Sequence, residues 1–161
     1  HRFWLEVYPQ EPHFDSISTI ISRHEERNTN SLQSQCKVFA YGQLIQAKYE
    51  ANKAGFDDAI LLNTANKLCC GSSSNILIKR NGTWITPNLK SGCLPGIMRS
   101  QGIQKGLIKE SEIDGMPEKD DAWVLINSLG CNPIQEIEGY ELSSVVDPKI
   151  FWQGLLNYED I

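Results

Sequence analysis

Three short segments place small and polar residues where a chain could bind an anion. Gly71-Ser72-Ser73-Ser74-Asn75 runs into an apolar stretch and is rich in small donors. Leu94-Pro95-Gly96-Ile97-Met98 opens a helical pattern, so the backbone N–H groups left free at its start point one way. Ile126-Asn127-Ser128-Leu129-Gly130 follows an apolar run and ends in small polar residues. A helix start flanked by Ser and Asn loops is an anion site in outline, although each loop taken singly is an ordinary turn first. No Walker lysine follows either glycine loop and no Gly-x-Gly-x-x-Gly exists, which disfavours the nucleotide-binding folds.

Other chemistries find little support. His1, His13 and His24 all lie near the N-terminus, and no Gly-x-Ser-x-Gly elbow accompanies them, so they are expected to be surface or strand-end residues. The five cysteines, Cys36, Cys69, Cys70, Cys93 and Cys131, are an odd number, and Cys69 and Cys70 are adjacent. No Cys-x-x-Cys with a His partner appears, so neither a disulfide framework nor a zinc site is expected. Reduced thiols fit a cytoplasmic protein.

The elements that must carry these loops follow from pattern. Strands are expected over residues 3–8, ended by Pro9 and Pro12, and over the β-branched stretch 16–23. Polar residues 25–35 form a loop that delivers the chain to Cys36-Lys37. From Tyr41 to Ala54 the apolar spacing turns helical, with Leu44, Ile45, Ala47 and Ala51 on it and Gly55 as a stop. Short strands are expected at 59–62, 75–78, 123–126 and 134–137, with 83–85 as the hairpin partner of 75–78 across Arg80-Asn81-Gly82. Helices are expected from Gly96 to about Leu107 and over 147–157. Short strands mixed with three helices give an α+β (mixed α/β) domain.

Composition sets the outer bounds. The chain has 161 residues, 40% hydrophobic and 22% charged, enough for one domain with a core. Its net charge of −5 argues against nucleic acid or an anionic membrane surface as partner. No apolar run approaches the ~18 residues needed to span a bilayer. The chain starts inside an apparent strand, which suggests an upstream segment.

Taken in order, the segments resemble the class IV aminotransferases, the fold-type IV enzymes that use pyridoxal phosphate (PLP). Lys37, the helix from Tyr41, and Gly55-Phe56-Asp57-Asp58-Ala59-Ile60-Leu61-Leu62-Asn63 are similar to that family's lysine, helix and "G-x-x-E/D-A-(I/L)-L-L-(N/D)". Gly71-Ser72-Ser73-Ser74-Asn75-Ile76-Leu77, Gly82-Thr83-Trp84-Ile85-Thr86-Pro87 and Leu94-Pro95-Gly96-Ile97-Met98-Arg99 follow, matching its "G-x-x-S-N", "G-x-(I/L)-x-T-P" and "L-P-G-I-(T/M)-R" blocks. The resemblance runs from about residue 16 to 138. It implies the large C-terminal domain of the D-amino-acid-aminotransferase-like fold over 14–161, with 1–13 as the end of a small N-terminal domain and linker.

The same resemblance implies roles. Lys37 would form the Schiff base with PLP and shuttle protons, which requires an amine that can be neutral. Gly96-Ile97-Met98 would hold the phosphate through the backbone N–H groups of Ile97 and Met98, with Asn127 and Ser128 as further phosphate or substrate donors. Tyr41 would hydrogen-bond the pyridine hydroxyl, and Arg99 is expected to be structural. A small-molecule amino substrate, a homodimer and no metal are expected.

One position departs from the family. Counting five residues back from Asn75, where the family has a glutamate that keeps the pyridine nitrogen protonated, lands on Cys70. A neutral pyridine is a weaker electron sink, which counts against plain transamination. Gly96-Ile97-Met98-Arg99 and Asn127-Ser128-Leu129 resemble the members that act as 4-amino-4-deoxychorismate lyase. That resemblance implies release of pyruvate and formation of 4-aminobenzoate, a folate precursor. Two alternatives stay open: an aminotransferase of branched-chain or D-amino acids, and a non-catalytic relative or fragment.

Overall fold

A computed structural model describes residues 3–142 and 147–156. Nine strands and three α-helices are found among them: β1 (Ile17–Ile21), α1 (Gly42–Lys53), β2 (Asp58–Leu62), β3 (Leu68–Gly71), β4 (Asn75–Arg80), β5 (Thr83–Pro87), α2 (Ile97–Gln104), β6 (Ile108–Ser111), β7 (Ala122–Asn127), β8 (Gly130–Ile137), β9 (Tyr140–Glu141) and α3 (Pro148–Leu156). The strands form one sheet in the order β3-β2-β1-β8-β7-β4-β5-β6, with β9 beside β8. β1 pairs parallel with both β2 and β8, and β5 parallel with β6; the other pairings are antiparallel. The mixed α/β class is the one expected.

Both sheet faces are covered, so the central strands are apolar throughout rather than alternating. Ile76, Ile78, Trp123, Leu125 and Ile134 fill one core. Their strand neighbours Leu77, Val124 and Ile126 point the other way and pack with Met98 of α2 and Leu155 of α3. A third cluster seats α1, through Ala47 and Ala51, on Ala59, Leu61, Cys69 and Cys70. Small alanines let the helix approach the sheet closely. α3 is fixed by Trp84 stacked on Phe151 at 4.5 Å and by an edge contact of Phe14 with Trp152 at 5.8 Å, pairs that add ~1 kcal/mol each beyond burial.

The β4–β5 hairpin forms as expected. Asn81 and Gly82 both take positive φ (50° and 75°), the pair of left-handed residues a two-residue hairpin turn needs. α2 is shorter than expected, ending at Gln104, because Gly106 turns left-handed at φ 68° two residues on. α3 starts after Asp147, whose Oδ1 accepts the Ile150 N–H at 3.0 Å; residue 157 of the expected helix lies outside the described residues. Residues 3–8 are not a strand. Their backbone has no ladder partner among the described residues, and Phe3, Trp4, Leu5, Val7 and Tyr8 are exposed. β-propensity alone does not make a strand without an edge to pair with. β3, β6 and β9 are additions to the expected set.

Candidate active site

The cleft of interest lies where the ends of β3, β4 and β7 meet the start of α2. Gly71 closes β3, and its N–H donates to Ser74 O at 2.9 Å, so residues 71–75 form a tight turn into β4. The side-chain N–H groups of Asn127, at the end of β7, donate to Ser73 O (3.3 Å) and Ser74 Oγ (3.0 Å), while its Oδ1 accepts the Leu129 N–H at 2.8 Å. Asn127 therefore fixes this turn and its own loop with its whole amide, leaving Ser128 exposed beside it.

Opposite this turn, Asn75 Nδ2 donates to Leu94 O at 2.8 Å and anchors the Pro95-Gly96 segment from which α2 starts. Gly96 is required sterically: a Cβ there would lie 2.1 Å from Asn75 Oδ1. No side chain caps α2, and the N–H groups of Ile97 and Met98 have no acceptor among the described residues. They are free donors at the positive end of a helix dipole. Arg99, buried at 2% exposure, donates to Pro87 O at 2.9 Å and pairs with Glu110, the structural role expected of it.

Lys37 and Tyr41 come from the segment between β1 and α1. Lys37 is exposed, and Tyr41 is the half-buried residue immediately before α1. All eight residues singled out from sequence, Lys37, Tyr41, Cys70, Gly96, Ile97, Met98, Asn127 and Ser128, line one cleft of about 440 Å³, within the usual range for small-molecule sites. Cys70 is 7% exposed there. Its contact with Cys69 and its burial push its thiol well above the usual thiol range, so it stays a neutral S–H. The five cysteines are all free.

Sequence reasoning passed over Arg27, which lines the same cleft. Its backbone is tied to the end of β2, its N–H donating to Leu62 O at 2.8 Å and its carbonyl accepting from the Thr64 N–H at 3.0 Å. Its guanidinium donates to Ser34 O (2.6 Å), Gln43 Oε1 (3.3 Å) and Gly92 O (3.4 Å). In sequence it is one charge in the polar run Glu25-Glu26-Arg27-Asn28, with nothing to set it apart.

Comparison with known proteins shows the family. Residues 3–137 match the family described as amino-transferase class IV. A probable branched-chain-amino-acid aminotransferase of Aquifex aeolicus is 40% identical over 137 residues, covering 80% of this chain and 44% of that protein. A Schizosaccharomyces pombe protein provisionally named aminodeoxychorismate lyase is 35% identical over 96 residues, covering 60% of this chain and 41% of that one. The crystal structure of the branched-chain aminotransferase of Thermoproteus uzoniensis superposes with a TM-score of 0.78 at 26% identity, covering 92% of this chain and 53% of that one. The chain thus spans about half the length of the relatives it matches. It belongs to the class IV aminotransferase family.

The family uses pyridoxal phosphate, and the cleft fits that group. It offers free helix-start N–H groups and three serine hydroxyls for a phosphate, a primary amine in Lys37, and a glycine where a side chain would collide.

Proposed function

We propose that this chain supplies the cofactor-binding part of a PLP-dependent enzyme acting on a small-molecule amino substrate, residues 14–161 forming that part and 1–13 leading into it. The observation that carries this reading is the convergence of Lys37, the serine turn and the open start of α2 on one cleft.

When bound, PLP takes up an amine through its aldehyde and draws off electrons from a bond broken at the amine-bearing carbon. The protein's own contributions are separable. The N–H groups of Ile97 and Met98 and the Ser72–Ser74 hydroxyls hold the phosphate, and Asn127 keeps that serine turn in shape. Tyr41 offers a hydroxyl to the ring oxygen. Lys37 would hold the cofactor through its Nζ amine and would move a proton at the substrate carbon. Leu44, Leu94 and Leu129 supply apolar lining that limits water.

Two reactions share this machinery. The lyase reading, pyruvate released and 4-aminobenzoate formed, is favoured by Gly96-Ile97-Met98-Arg99 and Asn127-Ser128-Leu129 and by the Schizosaccharomyces pombe relative. The aminotransferase reading is favoured by the names of the Aquifex and Thermoproteus relatives. Exposed Ile97 and Leu129 at the cleft support a homodimer closing over it. Borohydride treatment of the full-length holoenzyme followed by peptide mapping tests the common part: a pyridoxyl group on Lys37 is expected, and its absence sinks the proposal. Pyruvate release then separates the lyase from the transferase, which instead accumulates pyridoxamine phosphate.

A further inference from the structure

The protein carries 20 Asp and Glu against 15 Lys and Arg, yet the cleft has the opposite character. Its lining contains Arg27 and Lys37 and not one Asp, Glu or His among the described residues. The adjoining recess of about 260 Å³ around Lys37 repeats this, with the same two cations and no acid. The start of α2 adds roughly half a positive charge.

Arg27 is the more telling cation because it is fixed and unneutralised. Its three acceptors, Ser34 O, Gln43 Oε1 and Gly92 O, are all uncharged, and it joins no ion pair among the described residues. Three hydrogen bonds hold it in place and none cancels its charge. Two thiols lie beside it. Contact with Cys70, and further the Arg27 charge, lower the pKa of Cys69. Cys70 remains a thiol despite the pull of Arg27, because its contact with Cys69 and its burial outweigh that pull.

A pyridine nitrogen keeps its proton in a partly buried site only when an anion faces it. Otherwise the ring would add a third positive charge beside two others in a medium less polar than water. A carboxylate and an arginine are the two partners that proteins set against this nitrogen, with opposite effects on its proton. Resting on the proposed PLP function, we infer that this cleft holds the cofactor's ring nitrogen unprotonated, with Arg27 as the positioning residue that sets its charge state. The phosphate then supplies the negative charge that balances Lys37, Arg27 and the helix start. A cleft so arranged favours a reaction whose product is stabilised by itself, such as one that ends in an aromatic ring, over one that relies on the ring as a deep electron sink.

The test is the nitrogen NMR signal of the full-length holoenzyme loaded with ring-¹⁵N PLP. The expected result is a shift at the unprotonated position that does not titrate across the neutral range. A shift at the protonated position overturns the inference while leaving a borohydride-trapped Lys37, and so the proposed function, standing; failure to trap Lys37 removes both. Cys70→Glu introduces an acid and should move the signal toward the protonated position, whereas an unmoved signal overturns the placement of this residue and Arg27 near the nitrogen. Should that variant not fold, Arg27→Gln gives the second reading: the nitrogen should begin to titrate, and one as inert as in the parent protein overturns the role of Arg27.

Discussion

The indole Nε1 of Trp152, in α3, donates a 2.9 Å hydrogen bond to the carbonyl of Asn127, the residue whose amide fixes the serine turn of the cleft. The C-terminal helix is thereby wired to the anion end of the cleft without touching it. Trp152→Phe keeps an aromatic ring against Phe14 and removes the bond. Losing one such bond costs ~1 kcal/mol, so PLP affinity should fall roughly fivefold by fluorescence titration. Unchanged affinity would mean the turn holds its shape unaided.

Gly96 and Gly42 make a contrasting pair. A Cβ at Gly96 meets Asn75 Oδ1 at 2.1 Å, whereas one at Gly42 meets nothing within 4 Å. Gly96→Ala should lower stability by about 1–3 kcal/mol and weaken PLP binding. Gly42→Ala, at the first turn of α1, should be neutral or stabilising by up to ~1 kcal/mol. Thermal melts and PLP titrations of the two variants side by side decide this.

The acid stability of the fold should depend on Asp121. It is 1% exposed and accepts from Arg80 Nε (2.9 Å), Arg80 Nη2 (2.7 Å), the Glu118 N–H (2.8 Å) and Trp123 Nε1 (3.1 Å). Burial alone would raise its pKa, but the Arg80 guanidinium and the other donors hold it below the usual carboxylate range. A lowered folded value means the stabilisation is complete above the ordinary Asp value of about 3.9 and fades as pH falls through the lower one. Asp121→Asn should cost ~3 kcal/mol near neutrality and flatten the decline in stability with acid, measured by urea melts from neutral to acidic pH.

Thiol labelling should single out Cys36. It is exposed, whereas Cys69, Cys70, Cys93 and Cys131 are buried. Burial pushes Cys131 up to about 12 and also raises Cys93, so the reactive thiolate is scarce there. Maleimide should consume one equivalent rapidly in the native protein and five after denaturation, and Cys36→Ser should abolish the fast phase. Fast labelling of the native Cys36→Ser variant would contradict the burial of the other four.

Much of this architecture was legible because local chemistry and tertiary demand coincide. Asn81-Gly82 has to turn, Gly55 (φ 88°) has to stop α1, and the blocks around Lys37, Asn75 and Gly96 keep their order. What escaped was decided by distant partners. Cys69-Cys70 looks like loop until β2 is there to pair with it, and Leu61 lies opposite Cys70 in the sheet. Phe3–Tyr8 looks like strand, yet it pairs with no strand among the described residues. Arg27 gains its place in the cleft only through Leu62, Thr64 and Ser34, contacts that its neighbours in sequence do not encode.

The position of β1 between β2 and β8 also has a kinetic consequence. The hydroxyl of Thr19 reaches Glu136 across a separation of 117 residues, so a strand made near the start of the described chain waits for one made near its end. During synthesis β1 and β2 can pair while the other side of β1 stays open until β8 emerges. Long-range parallel closure of this kind is slow, and the open edge is the surface on which a nascent chain of this protein would aggregate or recruit a chaperone.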